Sequence, residues 1–144
     1  MTNNTALVER IEAASEGSRE LEAEIALAIG GDLRKGGHGF WYGEFDGRRE
    51  SIEGRPDGVE YDEQTGKKLP PEKPPLTDFA YRLDVPRYTT SIDAALTLVP
   101  ESCGWAVYEH GSAQVGRNTK QYFGAANTPA LAICAAALRA RSEK

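Results

Sequence analysis

Few side chains in this 144-residue chain have the chemistry of a catalytic group, and those few are scattered. A nucleophilic mechanism needs a serine or cysteine beside a base, and the only imidazoles are His38 and His110. Cys134 lies on the apolar face of a predicted helix, where a thiol behaves as a small hydrophobic group. Cys103 precedes a predicted strand, so a Cys103–His110 pair stays open as the centre of a small hydrolase.

Metal and cofactor sites are not predicted. The two histidines and two cysteines show neither CxxC nor HxxxH spacing, and no pair among the 22 acidic residues stands out as a general acid and base. The stretch from Gly111 to Lys120 lacks the spacing of a phosphate loop, and the glycines at 36–43 lack the flanking strand and helix of a dinucleotide site. These absences favour a binding protein over an enzyme.

The remaining candidate groups are aromatic and basic side chains that suit a small anionic ligand. An aromatic triplet at 40–42 is flanked by glycines, and it could stack on a base or sugar or tether a loop to the core. Basic residues precede two predicted helix starts, where free N–H groups attract anions. The predicted ligand-binding residues are Phe40, Trp41, Tyr42, Arg87, Tyr88, Arg117 and Lys120.

Apolar spacing predicts helices at the N-terminus, over 1–30. Leu7, Val8, Ile11 and Ala14 form one helical stripe, and the pattern is interrupted near Gly17. A fresh N-cap at 18 and a glycine pair at 30–31 bound a second helix.

Most of the glycines and prolines fall in the middle segment, 31–86, which we expect to be largely irregular. It holds one short aromatic strand within 36–43, a hairpin turn at 62–66 and an extended proline-rich arm at 69–75. A loop this long is uncommon inside a compact domain, which makes it a candidate for function or mobility.

The C-terminal segment, 87–144, reads as helix, strand, strand, strand, helix. Thr90 or Ser91 is expected to cap a helix from Ile92 to Val99, and Thr128 is expected to cap the last helix. Strands are expected at 105–109, 113–116 and 121–123. The chain is thus predicted to form one domain, 1–144, of the α+β class. In this α/β/α sandwich, the N-terminal helices and the C-terminal helix pack on an antiparallel sheet of three to four strands.

The same element order occurs in double-stranded-RNA-binding domains, which hold phosphates with lysines at the start of the last helix. Here that start, 127–131, contains no basic residue, and the net charge is −5. Because electrostatic attraction dominates such binding, a nucleic-acid partner is not expected. The sequence shows neither a signal peptide nor an apolar stretch long enough to span a membrane, so we expect a cytoplasmic protein.

Two runs, 87–100 (RYTTSIDAALTLVP) and 127–140 (NTPALAICAAALRA), resemble the phage α/β/α (ABA) sandwich domain family, and 18–25 (SRELEAEI) is similar to its N-terminal helix. The resemblance covers about 1–30 and 87–142 and leaves 31–86 unmatched. It implies a small phage or prophage protein with this architecture, without an established activity or catalytic motif.

The hypothesis that follows is a non-enzymatic phage-encoded binding protein that acts in the host cytoplasm, in counter-defence. It would sequester a small anionic, nucleotide-like host signal or bind a host protein. The alternatives are a phage structural or assembly protein, for which self-association is expected, and a small hydrolase.

Overall fold

A computed structural model describes residues 4–36, 40–53, 64–66, 74–109 and 111–142. The chain divides into two compact units: the first comprises Met1–Ile25 and Pro86–Lys144, and the second comprises Ala26–Val85. The elements are α1 (Thr5–Ala13), α2 (Arg19–Ala28), β1 (Asp32–Lys35), β2 (Phe40–Phe45), β3 (Arg48–Glu53), α3 (Leu76–Arg82), α4 (Ile92–Leu96), β4 (Gly104–Tyr108), β5 (Ser112–Arg117), β6 (Lys120–Ala125) and α5 (Pro129–Ser142).

The first unit is built on the antiparallel sheet β4-β5-β6, with α5 packed across β5 and β6. The close approach depends on Gly124, where an added Cβ would lie 2.2 Å from the carbonyl oxygen of Ala132. Helices α1 and α4 pack against α5 in turn. Because of these neighbours, α5 is buried around most of its circumference, whereas the sequence predicted one apolar face.

A buried carboxylate joins the start of α2 to the segment before α4. Glu22 is 1% exposed, and it accepts hydrogen bonds from the hydroxyl of Thr89 at 2.7 Å and the backbone N–H of Thr89 at 3.1 Å. Its other oxygen pairs with Arg19 at 2.6 Å. Gly17 allows this packing, because a Cβ there would lie 2.3 Å from the Thr89 carbonyl oxygen. The buried charge is therefore compensated by an ion pair and two hydrogen bonds.

The second unit contains the antiparallel sheet β1-β2-β3, with α3 packed against it. Gly43 of β2 lies against Ile52, Phe79 and Leu83, so the strand approaches its neighbours closely. Asp46 and Gly47 connect β2 to β3 with φ angles of 51° and 81°, as a two-residue hairpin loop with two left-handed residues requires.

This second sheet corrects the expectation of a largely irregular middle segment. The single aromatic strand expected within 36–43 corresponds to β2, which continues to Phe45, whereas β1, β3 and α3 were not predicted. The Gly- and Pro-rich composition obscured them because the apolar contacts that stabilise the sheet come from α3, some thirty residues later. Most of the expected turn at 62–66 and the arm at 69–75 lie outside the described residues.

The α+β class and the antiparallel strands of the C-terminal segment are confirmed. So are three helix caps: the hydroxyls of Ser18, Ser91 and Thr128 accept from backbone N–H groups three residues later. The helix expected to run from Ile92 to Val99 ends instead at Leu96, and single-turn hydrogen bonds continue the chain to Val99. The single-domain assignment stays a prediction.

Candidate functional site

The main cavity of the first unit has a volume of about 770 Å³ and opens beside the hairpin that joins β5 to β6. The turn before β4 and the last turns of α5 complete its wall. Its polar lining holds three cations and one acid, which gives it an excess of positive charge. The lining residues are Pro100, Glu101, Ser102, Cys103, Arg117, Asn118, Thr119, Lys120, Tyr122, Ala140 and Arg141.

The hairpin brings together Arg117 and Lys120, two of the predicted ligand residues. They lie directly opposite each other in the β5–β6 register, on either side of a two-residue loop. Asn118 enters the left-handed region there, with φ of 57°, and its carbonyl oxygen accepts from the Gln121 side chain at 3.1 Å. Like charges in directly opposed positions destabilise a hairpin. Within the described part of the chain, neither cation forms an ion pair with an acid.

Arg141 adds a third cation to this cavity from the last turn of α5. Its Nε donates to the Leu98 carbonyl oxygen at 2.6 Å, which holds the start of the guanidinium in place. No other described residue binds its two terminal nitrogens, which leaves them able to bind an anion. In the sequence, Arg141 is a basic residue that suits the negative C-terminal end of a helix, and no local pattern indicates that it meets the hairpin.

Tyr122 and Cys103 also line the cavity. Tyr122 pairs with Val115 in the sheet register, and its side chain therefore lies on the same sheet face as the hairpin cations. The half-exposed Cys103 follows a turn in which its backbone N–H donates to the Pro100 carbonyl oxygen. The aromatic ring provides a surface on which a base can stack.

Arg87 and Tyr88, predicted as a second anion site, do not line this cavity. Arg87 is exposed, whereas the side chain of Tyr88 is only 3% exposed. The Tyr88 carbonyl oxygen accepts from the thiol of Cys134 at 3.1 Å. Tyr88 thus belongs to the core of the first unit, and a ligand role for the pair stays a prediction.

The aromatic triplet lies on β2 in the second unit. Phe40 and Tyr42 occupy one face of the sheet and are 40% and 44% exposed, while Trp41 faces the other way, toward Ile52. Tyr42 lines a smaller cavity of about 300 Å³ with Arg34, Lys35, Gly36 and Arg49. Its two arginines are already paired with acids of β1 and β2, unlike the cations of the larger cavity.

A third cavity, of about 390 Å³, lies along α1 and α5. Arg139 lines it and forms two hydrogen bonds to the carboxylate of Glu12, at 2.6 and 2.7 Å. The pair lowers the pKa of Glu12 from its ordinary value and raises that of Arg139. Since its cation is already neutralised, this cavity is less suited to an anion than the larger one.

Among the described residues, no group of three or more histidine, cysteine or acidic side chains is placed to hold a metal ion. His38 and His110 lie outside the described residues, so the distance between Cys103 and His110 is not described and the hydrolase hypothesis stays a prediction. No helix in the described ranges is long and apolar enough to cross a bilayer.

Comparison with protein-family models, curated proteins and solved structures finds no match to this chain.

Proposed function

We propose that the protein binds a small phosphate-bearing ligand of nucleotide type in the 770 Å³ cavity of the first unit. The observation that carries the proposal is the convergence of Arg117, Lys120 and Arg141 on one open cavity with a single acid, Glu101. Arg117 and Lys120 have no acidic partner among the described residues, so their repulsion destabilises the free protein slightly, and a bound phosphate compensates that cost.

The dimensions and lining support this class of ligand. Ligand sites usually have volumes of about 300–1,000 Å³ and combine an apolar surface with a few convergent polar groups. Arginine side chains bind phosphate oxygens through paired N–H donors, and Tyr122 supplies a ring against which a base can stack.

In the biological setting suggested by the phage family resemblance, the protein would act in counter-defence by sequestering a nucleotide-like signal of the host. A protein that sequesters its ligand needs affinity without turnover, and a cluster of cations provides affinity for a phosphate.

Isothermal titration calorimetry tests the proposal with mononucleotides, cyclic nucleotides, dinucleotides and inorganic phosphate. We expect binding by at least one nucleotide class, with affinity that falls as salt concentration rises. Replacing Arg117 or Lys120 with glutamine is expected to weaken binding about tenfold, because each loses a charge-assisted hydrogen bond. The matched control is Arg82→Gln, an exposed arginine of the second unit, which should leave the affinity unchanged.

Failure of every nucleotide to bind, or equal affinity in the control and the cavity variants, contradicts the proposal. Chromatography of the ligand after incubation separates binding from catalysis. A ligand recovered intact supports sequestration, whereas a ligand that is consumed favours the hydrolase alternative.

A further inference from the structure

The two edges of the sheet β4-β5-β6 differ in how their backbone groups are satisfied. At the β6 edge, Arg139 donates to the Phe123 carbonyl oxygen at 2.6 Å, and the Ala125 N–H donates to Glu12 at 3.0 Å. A charged pair therefore covers that edge, as natural proteins do to prevent unwanted strand pairing. Within the described residues, no hydrogen bond reaches the outer edge of β4.

The register identifies which backbone groups of β4 point outward. In an antiparallel ladder, the groups of alternate residues point to opposite sides. The backbone groups of Phe123 and Ala125 point away from the sheet. Their partners on β5 therefore point toward β4, where they pair with Ala106 and Tyr108. The backbone groups of the alternate residues, Trp105 and Val107, consequently lie on the outer edge of β4.

The side chains of β4 are unusually apolar for an exposed edge. Trp105 is 53% exposed, Val107 37% and Tyr108 49%. No residue from Gly104 to Tyr108 is charged. A flat, apolar edge without charges is a template for another strand.

We propose that β4 pairs with β4 of a second copy of this chain, antiparallel about a two-fold axis at Ala106. The pairing joins two three-stranded sheets into one of six strands. It places Trp105 of each copy opposite Val107 of the other, so that the outward N–H and C=O groups of both residues form four hydrogen bonds.

The shapes of the side chains favour a second copy of this chain as the partner of β4. On one face, each Trp105 ring packs against Val107 of the second copy, an aromatic and β-branched pair that stabilises sheets. On the opposite face, Tyr108 lies across from Gly104 of the second copy. The space above Gly104 is open, because nothing lies within 4 Å of a Cβ added there.

The positions of the charged residues also favour pairing with a second copy. In this register Glu109 lies opposite Cys103 of the second copy, and Arg117 of that copy follows on the next strand, on the same face. Two strand spacings, about 9.5 Å, separate their backbones, a distance that these long side chains can span. No charge on the paired strands faces a like charge. Because Arg117 also lines the proposed ligand cavity, the association is tested with variants of β4 and β5 that keep Arg117.

Sedimentation equilibrium over a range of concentrations measures the association. We expect a reversible monomer–dimer equilibrium. Val107→Pro removes an outward N–H without removing a bond to β5, because proline is tolerated on strand edges. It should raise the dissociation constant about tenfold or more. Val107→Thr keeps the N–H and the branched shape, and it should associate like the parent; thermal unfolding checks that both variants fold.

A disulfide tests the register. The two Ala106 residues face each other across the axis as a non-hydrogen-bonded pair with Cα atoms about 4.5 Å apart, within disulfide range. In a Cys103→Ser background, Ala106→Cys should give a covalent dimer on mild oxidation. Ser112 lies on the same face but one strand further from the axis, on β5. Ser112→Cys in the same background should therefore give no covalent dimer.

A dimer weakened by Val107→Pro and trapped by Ala106→Cys supports the proposal. A monomer at every concentration overturns it, as does a dimer that neither substitution affects. A monomer that binds a strand-forming peptide along β4 also overturns it, because the edge then serves a different partner.

Discussion

Cys134 shows how a single residue takes its chemistry from its surroundings. Its side chain is fully buried in α5, and burial together with the nearby charge of Glu22 raises its thiol pKa to about 12. The thiolate form that reacts with electrophiles is therefore nearly absent near neutral pH. Cys103 is half-exposed and lines the main cavity.

We expect one fast-reacting thiol in the folded protein, that of Cys103. Titration with an aromatic disulfide reagent at neutral pH should label one thiol quickly and the second only after denaturant is added. Cys103→Ser should abolish the fast phase. A fast phase that survives this substitution would show that the Cys134 site opens more readily than its burial implies.

Glu22→Ala should lower the free energy of unfolding by roughly 2–4 kcal/mol, because Thr89 loses its acceptor and Arg19 loses its buried partner. Urea denaturation followed by circular dichroism measures the change. Glu20→Ala, on the exposed side of the same helix, is the matched control and should change stability by no more than about 0.5 kcal/mol. Equal losses in the two variants would assign the effect to the helix rather than to the buried cluster.

At the scale of elements, α1, β6 and α5 are joined by the pair Glu12–Arg139. The two side chains bind each other and also the outward backbone groups of Phe123 and Ala125. One ion pair therefore connects two helices and protects a sheet edge, a role that neither residue's local sequence reveals.

This pair should make stability depend on pH. The hydrogen bonds from Arg139 hold the pKa of Glu12 below its ordinary value of 4.5. Its stabilising effect is therefore complete above that value and is lost as pH falls through the lower pKa of the folded state. Glu12→Gln should cost about 1 kcal/mol at neutral pH, since solvent screens the partly exposed pair.

Denaturation at several pH values measures this effect. The difference between the parent and Glu12→Gln should shrink as the pH falls below 4.5, whereas Glu16→Gln, an exposed acid beyond the end of α1, should follow the parent throughout. A difference that stays constant with pH would mean that the Glu12 charge does not stabilise the fold.

At the scale of the whole molecule, each compact unit has its own apolar core. In the second unit, Phe79 and Leu83 of the α3 region pack against Ile52 and Gly43 of the sheet. In the first, α5 alone supplies ten of the buried residues.

Phe79→Ala should destabilise the second unit by about 3–5 kcal/mol, because it leaves a cavity in a small core. Hydrogen exchange followed by mass spectrometry should show faster exchange first in peptides from 26–85. Tyr81→Ala is the matched control, since Tyr81 lies on the same helix and is 82% exposed. Equal acceleration in both units would instead indicate that they unfold as one cooperative body.

The sequence by itself determined the features that depend on near neighbours in the chain. The caps at Ser18, Ser91 and Thr128 and the strands of the C-terminal segment follow from side-chain oxygens three residues before an N–H and from local apolar patterns. It also singled out Arg117 and Lys120, but as basic residues before the start of the last helix. Their positions opposite each other across a two-residue loop come from the structure.

Only the tertiary structure decided what distant segments do together. It brought Arg141 to the hairpin cations, buried α5 on nearly all sides and covered the β6 edge with Glu12 and Arg139. Among the described residues, it left the outer edge of β4 without a hydrogen-bond partner. It also organised the glycine-rich middle into a sheet, although the loop Asp46-Gly47 was a readable hairpin signal. The physical reason is that the burial of a side chain and the partner of a charged group depend on which segments of the folded chain come into contact. Nothing in the sequence around Glu12 or around Arg139 indicates that the two side chains will bind each other.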